Sequence, residues 1–106
     1  MKKIVCIIKP FKLQDVLKGL KGFYIEGLTI TEVKGYGRQK SHLELYHGSE
    51  YTITFLPKIK LEMVVNDSDV PEIVEKVCQN ARTGRIGDGK IFVLNAEIIH
   101  PSDKRD

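Results

Sequence analysis

The stretch Thr83-Gly-Arg-Ile-Gly-Asp-Gly-Lys90 has the strongest claim to chemistry in this sequence. Gly84 and the Gly89-Lys90 pair reproduce the spacing of a P-loop, whose backbone N–H groups cradle phosphates. Two features exclude a nucleoside triphosphatase. The residue after the lysine is Ile91, where Ser or Thr would hold Mg²⁺, and the loop runs from helix to strand, the reverse of a P-loop. Three glycines within six residues still let N–H groups converge on an anion, with Arg85 and Lys90 adding charge. The same residues equally describe a helix C-cap at Gly84 followed by a tight turn.

Two further segments carry polar groups in a pattern. Lys58, Lys60 and Glu62 recur with period two, which sets them on one face of a strand. They describe either a solvated face or a contact to carboxylate or phosphate; Gly37-Arg38-Gln39-Lys40, at the far base of the adjoining loop, favours the contact. That loop, residues 37–55, holds Tyr46, Tyr51, Ser49 and two histidines. Loops longer than about 12–15 residues in small domains are usually functional or disordered. It reads as a protruding recognition or modification loop, against the plainer alternative of a disordered insertion or an extended ribbon. Gly-x-Ser-x-Gly, His-Glu-x-x-His and a Cys/His nucleophile pair are all absent from the sequence. So is the aromatic strand motif of the RNA-recognition module.

The elements that must position these segments follow from periodicity. Ile4 to Ile8 is a continuous β-branched run before Pro10, the pattern of a strand covered on both faces. Leu13, Val16, Leu17 and Leu20 line one helical face, and Gly19 and Gly22 mark the end of that helix. Leu28 to Lys34 reads as a second strand, interrupted by Gly35-Tyr-Gly37. In the third strand Ile59, Leu61, Met63 and Val65 point at the core. Asp69 and Glu72 have capping-box spacing, with Pro71 in the first turn. Val70, Ile73, Val74, Val77, Cys78 and Ala81 then form the clearest helical stripe in the chain. Ile91 to Ile99 is the fourth strand, followed by a polar tail over 100–106. The order β-α-β-β-α-β predicts an α+β, ferredoxin-like fold. Two helices cover one face of such a sheet, so the other face predicts a homo-oligomer.

Composition bounds the rest. The 106 residues make one domain, 1–106, with 42% hydrophobic residues for one modest core. A cleft between two lobes of one chain is excluded, so a large ligand site lies on the surface or between copies. Seventeen basic and fourteen acidic residues leave a net charge of +3, without the dense basic cluster of a nucleic-acid binder. Cys6 and Cys78 sit in apolar stretches and read as buried thiols of a reducing cytoplasm. Neither they nor His42, His47 and His100 show metal-ligand spacing. The apolar run at the N-terminus is too short for a signal peptide or a membrane span.

Several motifs in order resemble the PII nitrogen-regulatory signal-transduction family. They are Lys9-Pro-Phe-Lys-Leu13, Thr31 to Lys40, Glu44-Leu-Tyr46, Gly48-Ser-Glu-Tyr51, Phe55-Leu-Pro-Lys58 and Thr83 to Phe92. Together they span nearly the whole chain. The resemblance implies a cytoplasmic homotrimer with ATP or ADP bound in clefts between subunits. It also implies 2-oxoglutarate joining ATP through Mg²⁺, and a regulator that is not an enzyme beyond slow ATP hydrolysis. By the same resemblance Thr83, Gly87, Asp88, Gly89 and Lys90 hold phosphates, in a loop spanning about 82–90. Gly35, Gly37 and Arg38 approach from the loop base, and Thr29, Glu62 and Val64 lie near the adenine. Gln39 gives an oxygen to Mg²⁺, and Gln39, Lys40 and Lys58 bind 2-oxoglutarate. Tyr51 matches a uridylylation position served by a modifying enzyme, and Ser49 a phosphorylation position. Residues 37–55 match the T-loop, which contacts target proteins: an enzyme, a transcription regulator or, at the membrane, an ammonium transporter. No nucleic-acid partner is implied.

Three positions depart from the family pattern. Pro101 and Asp103 stand where an Arg-x-Arg pair clamps the ATP phosphates, which predicts weaker triphosphate binding and a tilt toward ADP. Ser41 stands where Gly is usual, and His47 where transporter-docking members present Arg. The alternative reading is a diverged sensor of adenine nucleotide alone, regulating a transporter or carbon uptake.

Overall fold

The computed structural model describes residues 1–37, 54–85 and 87–102. β1 (Lys2–Ile8) leads through a 3₁₀ turn, Pro10–Lys12, into α1 (Leu13–Gly19). β2 (Ile25–Gly37) and β3 (Thr54–Val65) follow, then a second 3₁₀ turn, Asp67–Asp69, α2 (Val70–Ala81) and β4 (Gly89–Asn95). The four strands form one antiparallel sheet in the order β2-β3-β1-β4. This is the ferredoxin-like β-α-β-β-α-β arrangement that the order of patterns predicts.

The core lies between the helices and one face of the sheet. Ile4, Cys6 and Ile8 of β1 and Leu61, Met63 and Val65 of β3 are almost fully buried there. Val16 and Leu20 come down from α1 and its end, and Ile73 and Val77 from α2. The period-2 and period-3.6 stripes are the cause, because each sets its apolar side chains on one side of its element.

β1 is not covered on both faces within one chain. Its burial alternates, and Val5 and Ile7 are only half-buried on the face away from the helices. Phe92 and Leu94 on β4 share that face by register, paired with Val5 and Lys3, and are 49% and 48% exposed.

Four boundaries differ from the sequence reading. β2 runs unbroken through Gly35 and Tyr36 to Gly37, paired with Leu56, Phe55 and Thr54. Gly35 makes no turn there: it lets the Lys58 stem cross closely, since a Cβ would stand 3.0 Å from the Lys58 Cγ. Asp69 makes no capping hydrogen bond, because the chain enters α2 through the 3₁₀ turn, whose Asp67 carbonyl accepts from the Val70 N–H. α2 ends at Ala81 with Arg82 extended, so Gly84, at φ +83°, lies inside the following loop and does not cap the helix. β4 occupies Gly89–Asn95, not Ile91–Ile99, because its partner β1 runs out: the Ala96 N–H reaches the Met1 carbonyl as the last rung. Beyond it, the tail is tied at His100, whose Nε2 pairs with Glu26 Oε1 at 3.1 Å.

Among the described residues no helix is long and apolar enough to cross a membrane.

Candidate functional site

Side chains on alternate positions of β1 and β3 leave the sheet on the face away from the helices. That parity carries Lys9 past the end of β1, and Lys58 and Lys60 out of β3. β4 starts beside them, with Gly89 opposite Ile8 and Lys90 opposite Ile7. The loop 82–88 therefore closes over one end of the sheet, and the lysines meet it there.

Asp88 organises this loop. Its Oδ2 accepts from the backbone N–H groups of Thr83 and Gly84, each at 2.9 Å. Its Oδ1 accepts from the Thr83 hydroxyl and, at 3.2 Å, from Lys9 Nζ. Lys9 Nζ also donates to Thr83 Oγ1 at 3.3 Å, and the Arg85 N–H donates to the same oxygen at 3.2 Å. Hydrogen bonds from Thr83, with Lys9 and Gly84 adding to them, hold the Asp88 carboxyl well below the usual carboxylate range. The glycine-rich loop thus does make backbone N–H groups converge on an anion. At Thr83 and Gly84 that anion is the chain's own carboxylate.

Lys58 closes the other side. Its Nζ donates to the Gly87 carbonyl at 2.6 Å. Burial, then the charge of Lys9, lowers its pKa from the ordinary lysine value, against a smaller opposite pull from Asp88. An incoming anion would relieve that charge repulsion. Gly89 has φ +141°, and a Cβ there would land on the Ile7 carbonyl oxygen. Gly87, at φ +86°, lets its carbonyl turn toward Lys58.

The expected phosphate-site residues Thr83, Gly87, Asp88, Gly89 and Lys90 thus gather at one end of the sheet, with Gly35 and Lys58. Gly37 ends β2 further out along the ribbon, paired with Thr54, four strand steps from Lys58. Thr29, Glu62 and Val64 form a second group. Thr29 pairs with Glu62, whose carboxylate bridges Lys3 at 2.9 Å and Lys60 at 3.0 Å. Hydrogen bonds from those lysines lower the Glu62 pKa. Four strand steps, roughly 13 Å, separate Lys58 from Glu62, so the two groups lie at different levels of β3. Arg38, Gln39, Lys40, Ser41, His47, Ser49 and Tyr51 lie outside the described residues, as does Asp103. Lys9 was missed by the sequence reading. Its parity with Lys3, Val5 and Ile7 was the available signal, since it puts the ammonium on the same face as Lys58.

A model of the nitrogen regulatory protein P-II family matches residues 1–100. The chain belongs to the P-II family. Nitrogen regulatory protein P-II of Pasteurella multocida is 57% identical over 99 residues, covering 93% of this chain and 88% of that protein. The P-II protein of Azospirillum brasilense is 58% identical over the same length, with the same shares covered. Nitrogen regulatory protein GlnK of Escherichia coli strain K12 is 55% identical over 99 residues, again covering 93% and 88%. These P-II relatives are named as regulatory proteins. The matches run through every element described above, from β1 to the segment after β4.

Proposed function

We propose that this P-II protein is a homotrimeric signal-transduction regulator of nitrogen metabolism. It senses ATP, ADP and 2-oxoglutarate at clefts between subunits and acts on target proteins through residues 37–55. The observation that carries this reading is the cluster of Lys9, Lys58 and Lys90 around a loop already shaped by Asp88. Lys58 and Lys90, with the backbone from Gly87 to Lys90, would hold phosphate oxygens. Asp88 would contribute indirectly, by fixing Thr83 and Gly84. Gly35 and Gly37 would line the approach, with Arg38 beside them. Thr29, Glu62 and Val64 would receive the adenine.

Mg²⁺ would arrive with the triphosphate, which supplies most of its oxygen ligands, and Gln39 would add one. Lys58 would leave the Gly87 carbonyl to pair with a carboxylate of 2-oxoglutarate, beside Gln39 and Lys40. Tyr51 and Ser49 are the candidate modification positions on the target-facing loop. Regulation of an enzyme, a transcription regulator or an ammonium transporter would follow from that loop, in the cytoplasm or at a membrane-bound partner.

Titration calorimetry tests this directly. ATP with Mg²⁺ should bind, and 2-oxoglutarate should then give heat only when ATP is present. Lys90→Ala should weaken nucleotide binding, and Lys58→Ala should abolish the 2-oxoglutarate heat while sparing ADP. Nucleotide binding with no 2-oxoglutarate heat would leave the nucleotide-only sensor as the better reading.

A further inference from the structure

On the helix side of the sheet, α2 and the start of β4 stand apart around a cleft of about 300 Å³. The cause is two small residues at one level. Gly89 pairs with the buried Ile8, so position 89 faces the helices, yet it has no side chain to send there. Ala81 ends α2 beside it with only a methyl group. The walls are apolar, chiefly Ile8, Val74, Val77 and Ile91, with the half-buried Cys78 thiol among them.

The rim is charged and unbalanced. Arg82, Asp88 and Lys90 border it. Asp88 is already committed to Thr83, Gly84 and Lys9. The Arg82 N–H donates to the Cys78 carbonyl at 3.1 Å, and its guanidinium is unpaired among the described residues. Lys90 lines the cleft by its backbone, since its side chain leaves with that of Ile7 on the opposite face of the sheet. An apolar interior under an unpaired guanidinium is complementary to an anion with an apolar tail. The volume is at the low end for small-ligand pockets, roughly 300–1,000 Å³, which limits the tail to a short alkyl chain or a single ring.

We propose that this cleft is a second ligand site, for a small carboxylate whose apolar tail lies between α2 and β4 and whose carboxylate pairs with Arg82. The site is separate from the proposed nucleotide cleft and does not depend on it. The two sites meet only at Gly89 and Lys90, whose backbone borders the cleft while the Lys90 side chain leaves on the opposite face.

Cys78 supplies a built-in reporter. Cys6 is fully buried, and burial, then Cys78, pushes its thiol up to about 12, so alkylation of the folded chain reads Cys78. Hexanoate should slow that alkylation saturably, whereas acetate, lacking the tail, and hexanamide, lacking the charge, should not at equal concentration. Spectra of the methyl groups of Val74, Val77 and Ile91 read the same occupancy without the thiol, and hexanoate should shift them. Arg82→Gln, at an exposed position, should raise the hexanoate midpoint by about tenfold, the usual loss of one charged contact. It should leave thermal unfolding and the nucleotide titration as in the parent. The proposal falls if hexanoate moves neither readout, if hexanamide protects as well as hexanoate, or if Arg82→Gln leaves the midpoint in place. Nucleotide titration without hexanoate judges the nucleotide reading separately.

Discussion

At the scale of single residues, the loop before β4 depends most on one carboxylate. Asp88 ties Thr83, Gly84 and Lys9 together, so the loop's shape depends on its staying ionised. Its folded pKa is depressed, so the stability it contributes is complete above the ordinary carboxylate pKa, about 4, and is lost as pH falls below that. Asp88→Asn should therefore lower the melting temperature at pH 7 and flatten its decline on acidification. An unchanged acid slope in Asp88→Asn would refute this role. The sequence showed the glycines, Arg85 and Lys90 but not this bond set. Asp88 and Thr83 are close in sequence, yet nothing in their spacing says that an acid fills the loop its own glycines open. Lys9 was hidden for a different reason: its partners come from a loop more than seventy positions away, and only the folded sheet brings them together.

At the scale of elements, period decided what could be read. The stripes of α1, β3 and α2 were legible because each is regular and one-sided, and the residues they nominate are the core. Ends were less legible because they are set by neighbours. β4 stops where β1 stops, and β2 passes through Gly35 because β3 continues to pair with it as far as Thr54. Gly89 is the sharpest case, a strand-start glycine whose necessity comes from the Ile7 carbonyl on another strand. Gly89→Ala combines that clash with a backbone angle that side chains rarely adopt, so it should cost about 2 kcal/mol or more. Urea denaturation measures this, and a loss below half that amount would mean that the strand shifts to make room. Leu61→Ala, in the middle of the core, should cost about 2–5 kcal/mol by the same measurement.

At the scale of the whole molecule, the helices leave one sheet face bare. Phe92 and Leu94 stand half-exposed on it, beside Val5, and a bare apolar sheet face marks an association surface. In the proposed trimer these faces meet, and the same packing brings the Thr29 and Glu62 group of one chain toward the phosphate loop of another. Leu94→Asp should therefore lower the mass in sedimentation from roughly three times the 12.0 kDa of one chain to a single chain. It should weaken nucleotide binding in parallel. A variant that stays trimeric would put the association surface elsewhere.

The bond from Lys58 to the Gly87 carbonyl has one more consequence. Its stem lies across Gly35 on β2, and its ammonium holds the loop before β4, so one side chain links the root of residues 38–53 to that loop. The ammonium has three N–H donors, so an anion near it shares or competes for it with the Gly87 carbonyl. The lysine thus couples the position of the strand that roots residues 38–53 to that of the loop before β4.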